Sequence, residues 1–476
     1  MTMLSNLLKS TTLFAALIIA ANIFGLSGQI AIAQKIGDRV VVSANFETKI
    51  HTKVVGNVYE GEIGEITAIN EQWCSLRGVK GWLPLQYVMN LDAAKLKYDK
   101  RIAANPRDFT AYANRGMIYY ETDEFEKAFS DLNNSLKINP KNAVTWNNRG
   151  RILHAQQKYV LALKDLLYSA KLNPDFPHAH YNLGRVFYSL GDCKKSIEAY
   201  NAAIKINDEA AGYFVNRGSA KLLCRDYEGA KADYEHALTL DKRNADAYVG
   251  LSNLALANLN LDDAFAAANR AVELAPKNAM ALNARGWIKY KQKKIDEAID
   301  DLTIAVRFAP QLSLAYNNRG VCYVSKKEYD KAIADYNRSL ELQVDSPVGL
   351  ANRGVAWMGK GEFEKAKTDL AKAVELAPKM TDALDAYAWF LASCENESFR
   401  DGNKAVELAT SANELSDWKD WSFVLTLAVA QAETGNFDEA VASAEKAKAI
   451  APDEEKADID EKIKLFKSKK PFHSAL

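Results

Sequence analysis

An arginine set between asparagine and glycine returns five times along this sequence. The copies are Asn114-Arg115-Gly116, Asn148-Arg149-Gly150, Asn216-Arg217-Gly218, Asn318-Arg319-Gly320 and Asn352-Arg353-Gly354, and a sixth reads Ala284-Arg285-Gly286. A guanidinium offers a planar fork of N–H donors suited to carboxylates, and a carboxamide can bond a peptide backbone through both of its ends. A row of such groups is either a ladder for a ligand or a set of internal braces. Fifteen residues beyond the glycines stand Asp131, Asp165, Asp233, Asp301, Asp335 and Asp369. Where the arginine gives way to Leu183 or Leu251, the matching residues are Ala199 and Ala267. Arginine and aspartate come and go together, which predicts six ion pairs inside the chain. A partly buried arginine without its acid leaves a charge unpaired, so losing one favours losing both.

Other chemistry is thinly supplied. There is no GxSxG, HExxH or Walker loop, and no GxGxxG leading into a helix. The histidines are His51, His154, His178, His180, His236 and His473. His178 and His180 are two apart near a helix start, where side chains diverge, so they do not form a metal pair. The cysteines Cys74, Cys193, Cys224, Cys322 and Cys394 are scattered without a CxxC, which fits small buried apolar residues. A Cys193–Cys224 bridge is open to an oxidising compartment. These absences argue for a protein without enzymatic activity, cofactor or metal. The 61 basic and 61 acidic residues balance, leaving no electrostatic footprint for nucleic acid.

The elements that must carry the triplets follow from a ruler. Gly116, Gly150, Gly184, Gly218, Ser252, Gly286, Gly320 and Gly354 stand thirty-four residues apart. So do Ala128, Ala162, Ser196, Ala230, Ala264, Ala298, Ala332 and Ala366, while prolines 140, 174, 276, 310 and 378 keep the same grid. Small residues on two rulers predict two helices per period, packed antiparallel where only Gly, Ala or Ser fits between backbones. Proline follows the second helix because it cannot continue one. Repetition at this period makes a stacked array in which each hairpin covers the next.

This pattern resembles the tetratricopeptide repeat (TPR). The resemblance implies a mainly α fold: a superhelix of about ten helical hairpins over residues 109–454, the ninth with an insertion. A half-repeat helix at 92–108 caps the front, and a capping helix and tail at 455–476 close the array. In that family the first helices line a concave groove that takes extended peptides. The resemblance places Asn114, Asn148, Asn182, Asn216, Asn318 and Asn352 on that face, with Tyr120, Arg151, Arg185 and Tyr188 beside them. The carboxylate clamp of chaperone-binding members is matched only in fragments: Ala113, Met117, Asn148, Tyr181 and Arg185 stand at its positions, so chaperone tails are not expected.

Residues 34–91 change character to alternation and valines, in "GDRVVVSANF", "GNVYEGEIGEITAIN" and "EQWCSLRGVKGWLPLQYVMN". Short β runs between glycine turns predict a small β-barrel. The ending resembles an SH3 domain of the bacterial SH3-like class, and implies a ligand groove at Trp73, Pro84 and Tyr87. The usual aromatic start is replaced by "VVVSANF", which tells against proline-rich ligands. Ahead of it, Lys9, the apolar run Thr11–Leu26 and Ala31-Ile32-Ala33 resemble a bacterial secretory signal covering 1–33. The rival is an uncleaved anchor.

The layout resembles exported SH3–TPR proteins of bacteria such as planctomycetes. Two readings of function follow. One is a non-enzymatic interaction scaffold in the periplasm or cell envelope, binding peptides or partner proteins, with no nucleic acid and no membrane span after signal cleavage. The other is an accessory or assembly subunit of an envelope enzyme or transport complex.

Overall fold

The computed structural model describes residues 39–42, 46–50, 53–58, 63–70, 73–76, 83–84 and 88–473. The signal-like segment 1–33 lies outside them. The chain divides into two compact bodies, 1–233 and 234–476.

Among the described residues of the N-terminal body, seven short strands come first: β1 (Arg39–Val42), β2 (Phe46–Ile50), β3 (Lys53–Val58), β4 (Ile63–Asn70), β5 (Trp73–Leu76), β6 (Leu83–Pro84) and β7 (Val88–Asn90). Five of them form an antiparallel sheet in the order β6-β5-β4-β1-β7, and β2 and β3 pair as a separate hairpin. Closure into a barrel is not shown by these strands. The sheet runs without a linker into α1 (Leu91–Ala104): Asn90 ends β7 and also caps the helix, its side chain accepting from the Ala93 N–H at 2.8 Å. Val41, Ala94, Tyr98, Ala111 and Ile118 form one buried cluster across the strands and the first two helices.

Helical hairpins fill the rest. In the N-terminal body they are α2 (Phe109–Glu121) with α3 (Phe125–Ile138), α4 (Ala143–Ala155) with α5 (Tyr159–Leu172), α6 (Pro177–Ser189) with α7 (Cys193–Ile206), and α8 (Ala211–Leu223) with α9 (Tyr227–Leu240), within which the division falls. The C-terminal body continues with α10 (Ala245–Ala257) and α11 (Leu261–Leu274), α12 (Ala279–Lys291) and α13 (Ile295–Phe308), α14 (Ser313–Ser325) and α15 (Tyr329–Leu342), and α16 (Pro347–Gly359) and α17 (Phe363–Leu376). The ninth hairpin, α18 (Thr381–Ser393) and α19 (Gly402–Leu415), holds a 3₁₀ turn at Glu397–Phe399 between its helices. The tenth, α20 (Trp421–Glu433) and α21 (Phe437–Ile450), precedes α22 (Asp453–Lys467).

In six hairpins the ruler glycine sits against a leucine or tyrosine of the second helix. A Cβ added at Gly150 would lie 2.7 Å from the Leu166 side chain, and one at Gly320 would lie 2.6 Å from the Tyr336 ring. The fifth hairpin reverses both choices. Ser252 replaces glycine and Ala268 stands where its neighbours have leucine or tyrosine, so the serine fits and its hydroxyl donates to the Ala264 carbonyl at 2.9 Å. The turn between helices also repeats: residues 123, 157, 191, 225, 259, 293, 327 and 361 all have left-handed φ. Only Gly191 and Gly361 among them are glycine.

Gly320→Ala is expected to lower stability by about 1–3 kcal/mol, because Tyr336 must move. Gly212→Ala has nothing within 4 Å of the added atom. It is expected to raise stability by about 0.5 kcal/mol through helix propensity. Denaturant unfolding of the two variants checks the opposite signs.

Candidate functional site

Each arginine of the repeated triplet meets its aspartate across the hairpin through two parallel hydrogen bonds. Arg115 Nε donates to Asp131 Oδ2 at 2.7 Å and a terminal nitrogen donates to Oδ1 at 2.8 Å. The same fork joins Arg149 to Asp165, Arg217 to Asp233, Arg285 to Asp301, Arg319 to Asp335 and Arg353 to Asp369, with bonds of 2.6–2.8 Å. All six carboxylates are buried and all six arginines half-buried. For Asp335 burial lifts the carboxyl above its usual range, against the pull of the Arg319 bonds.

The remaining guanidinium nitrogen reaches back to the second helix of the preceding hairpin, or to α1 in the first case. Its acceptors are Asp99, Asn133, Asn201, Asn269, Thr303 and Asn337, at 2.7–3.2 Å. These six residues were not singled out from the sequence. Their signal is a second sixteen-residue interval, counted backward from the arginine as the aspartate is counted forward. In the third and fifth hairpins, with Leu183 and Leu251, the residues at that interval are Leu167 and Glu235.

The asparagine row is also engaged between helices. Asn182, Asn318 and Asn352 donate to Asn147, Asn283 and Asn317 of the preceding first helix at 2.8–3.0 Å. Asn182 and Asn318 are themselves buried. Asn114 donates to the Tyr98 hydroxyl at 3.3 Å, and Asn216 to the Tyr181 hydroxyl at 3.1 Å. Asn148 accepts from Asn147 at 3.3 Å. Four of the six amides expected to face a ligand, Asn182, Asn216, Asn318 and Asn352, thus also tie neighbouring first helices together. Buried amides need such partners.

Other side chains remain on the face of the first helices. Tyr188 is exposed, and Tyr120, Arg151 and Arg185 are half-buried. The Arg151 guanidinium lies over the Tyr120 ring at 5.5 Å, and His154 Nε2 meets the Ser189 hydroxyl at 2.8 Å. Tyr181 packs against Tyr213 of the next hairpin with ring centroids 4.9 Å apart. In the sheet, Trp73 on β5 pairs in register with Pro84 on β6, while Tyr87 lies outside the described residues.

Cys193 and Cys224 form a disulfide between α7 and the end of α8. In the C-terminal body the residues after α22 fold back: the Phe472 ring packs tilted against Trp389 with centroids 5.8 Å apart, and His473 meets Glu433 at 2.6 Å. One turn before Trp389, Asp385 has an oxygen sealed from solvent without a hydrogen-bond partner. Burial pushes its carboxyl up to about 7, opposed by the Thr426 hydroxyl and assisted by Asp420 and Asp382. Among the described residues no group of three or more His, Cys, Asp or Glu could hold a metal ion. No described helix is long and apolar enough to cross a membrane.

Four models of tetratricopeptide repeats match the chain, at 109–142, 177–209, 350–380 and 423–454, at 150–191, at 217–279 and at 313–345. Together they cover more than half of it. No curated relative matches the sequence. A tetratricopeptide repeat protein from Parabacteroides merdae is 18% identical over 52% of this chain and 98% of that one, with a TM-score of 0.43. Yeast Tom70 is 18% identical over 80% of this chain and 92% of its own, with a TM-score of 0.37. The pilF protein of Pseudomonas aeruginosa is 22% identical over 44% and 93%, also at 0.37.

Asp385 yields a prediction with a definite sign. Its raised pKa means that the folded chain holds a proton the unfolded chain releases. Its contribution to stability is full below the ordinary carboxylate range and is lost as pH rises through about 7. Asp385→Asn cannot ionise, so its melting temperature should gain on the parent between pH 4 and pH 8. A gap that stays constant over that interval would mean the carboxyl is ionised throughout.

Proposed function

Because the chain belongs to the tetratricopeptide-repeat family, we propose that it is a non-enzymatic scaffold that binds other proteins through extended peptide segments. The observation that carries this reading is the bonded face of first helices within each body. Hydrogen bonds thirty-five residues apart join successive first helices there: Asn147–Asn182 and His154–Ser189 in the N-terminal body, and Asn283–Asn318 and Tyr290–Ser325 in the C-terminal body. A preorganised face loses little freedom on binding, which favours extended ligands. Tyr120, Arg151, Arg185 and Tyr188 would contact the ligand, together with the less buried amides Asn114, Asn148, Asn216 and Asn352. Asn182 and Asn318 would act mainly by holding the face in register.

The β-rich segment is read as an SH3-like second module. Its support is the strand order, in which β1 lies between β4 and the last strand β7 while β2 and β3 pair as a separate hairpin. Trp73, Pro84 and Tyr87 are its candidate ligand residues. Export to the periplasm or envelope is supported by the Cys193–Cys224 bridge, since disulfides persist in oxidising compartments. The apolar run at 11–26 with its Ala31-Ile32-Ala33 exit agrees with that placement.

A photo-crosslinking amino acid placed at Tyr188 or Tyr290, on first helices, tests the binding face. A third variant carries it at Glu198, exposed on the second helix α7. Partner adducts in envelope extract should form from the first two positions and be weak from the third. Adducts formed only from position 198 would overturn the reading.

A further inference from the structure

Among the arginines that the structure describes, each one that is not exposed has a carboxylate partner, with two exceptions: Arg151 and Arg185. Both lie on first helices, at the same position of adjacent hairpins. Neither belongs to the arginine–aspartate lattice. Arg151 covers the Tyr120 ring at 5.5 Å. The surrounding groups supply no anion. Burial lowers His178, with the Arg151 charge adding to it, and burial lowers His154 to about 4, helped by Arg185. Both imidazoles are therefore neutral near pH 7. Glu121, the one acid on α2, is already held by Arg39 at 2.5 Å. Two half-buried cations on adjacent first helices thus have no carboxylate partner, whereas every other described arginine that is not exposed has one. A guanidinium in that position is stabilised by a carboxylate from outside.

We propose that Arg151 and Arg185 bind two carboxylate side chains of one acidic, extended peptide laid across the first helices α2, α4 and α6. This rests on the reading of the first-helix face as the peptide-binding face, and it names the chemistry of the ligand. The spacing is compatible. Packed helices stand about 8–10 Å apart, and a polyproline-type chain advances about 9 Å in three residues. Acids at every third position would meet the two arginines in turn, with Tyr120 and Tyr188 covering the intervening residues. A nucleic acid fits less well, because two cations on a chain of zero formal charge neutralise few phosphates.

The test is fluorescence anisotropy on the full chain. The probes are a labelled peptide with glutamate at every third position, its glutamine counterpart, a mixed library of uncharged extended peptides and a labelled oligo-dT. The glutamate peptide should bind at least about tenfold more tightly than the glutamine one, and weaken as salt rises. Arg151→Gln and Arg185→Gln should each cost about tenfold, with Arg151→Lys recovering part of the loss and all melting curves unchanged. Equal binding of the two peptides, with the Gln variants indifferent, overturns the acidic site while leaving peptide binding intact. Tighter binding of oligo-dT overturns it in favour of nucleic acid. If no probe or library member binds, the acidic site and the peptide-binding reading fall together.

Discussion

A guanidinium that is half removed from water must have its charge and its donors answered, and the array is arranged around that requirement. In six hairpins one arginine bonds the aspartate of its own second helix through two nitrogens and the preceding second helix through a third. One side chain therefore fixes the spacing within a hairpin and the register between hairpins. Removing one partner of such a pair costs about 3–5 kcal/mol, because the other is left buried and charged. The third and fifth hairpins show the consistent alternative, with leucine and alanine in place of the pair. Glycine and its bulky neighbour obey the same logic in volume rather than charge, as the exchange to Ser252 and Ala268 shows.

This division of labour separates scaffold from surface. The arginines that recur do so because they brace the fold, so their recurrence is no argument for ligand binding. The proposed ligand contacts are instead groups that break the pattern: Arg151 and Arg185 without acids, and Tyr120 and Tyr188 on first helices. The asparagines stand between the two classes. Each takes part in a bond to a neighbouring side chain, and only some retain exposure.

The hairpins are legible because small residues and prolines keep one period, and close helix packing permits few alternatives at those positions. The arginine–aspartate link is written as a covariation. The backward bond is written just as regularly, but its acceptors are asparagine, aspartate or threonine, residue types that read as ordinary helix surface. The left-handed turns are hidden for a similar reason, since Asp123, Gln157, Arg225, Leu259, Lys293 and Lys327 adopt φ values that glycine would advertise. The amide pairs involve Asn-Asn neighbours at 147–148 and 317–318. Which member turns toward the adjacent helix depends on the stagger between hairpins, which no single period encodes. In the β-rich segment alternation marks strands, but pairing order is a long-range property.

The most direct measurement is a double-mutant cycle on Arg319 and Asp335, read by native-state hydrogen exchange at the amides of α14 and α15. If the lattice braces the array, Arg319→Ala and Asp335→Ala each lower the local opening free energy by about 3–5 kcal/mol. The double variant then loses less than their sum, by a coupling of about 2–3 kcal/mol. Small and additive losses would contradict the lattice, and would mean that apolar packing alone sets the register of the hairpins.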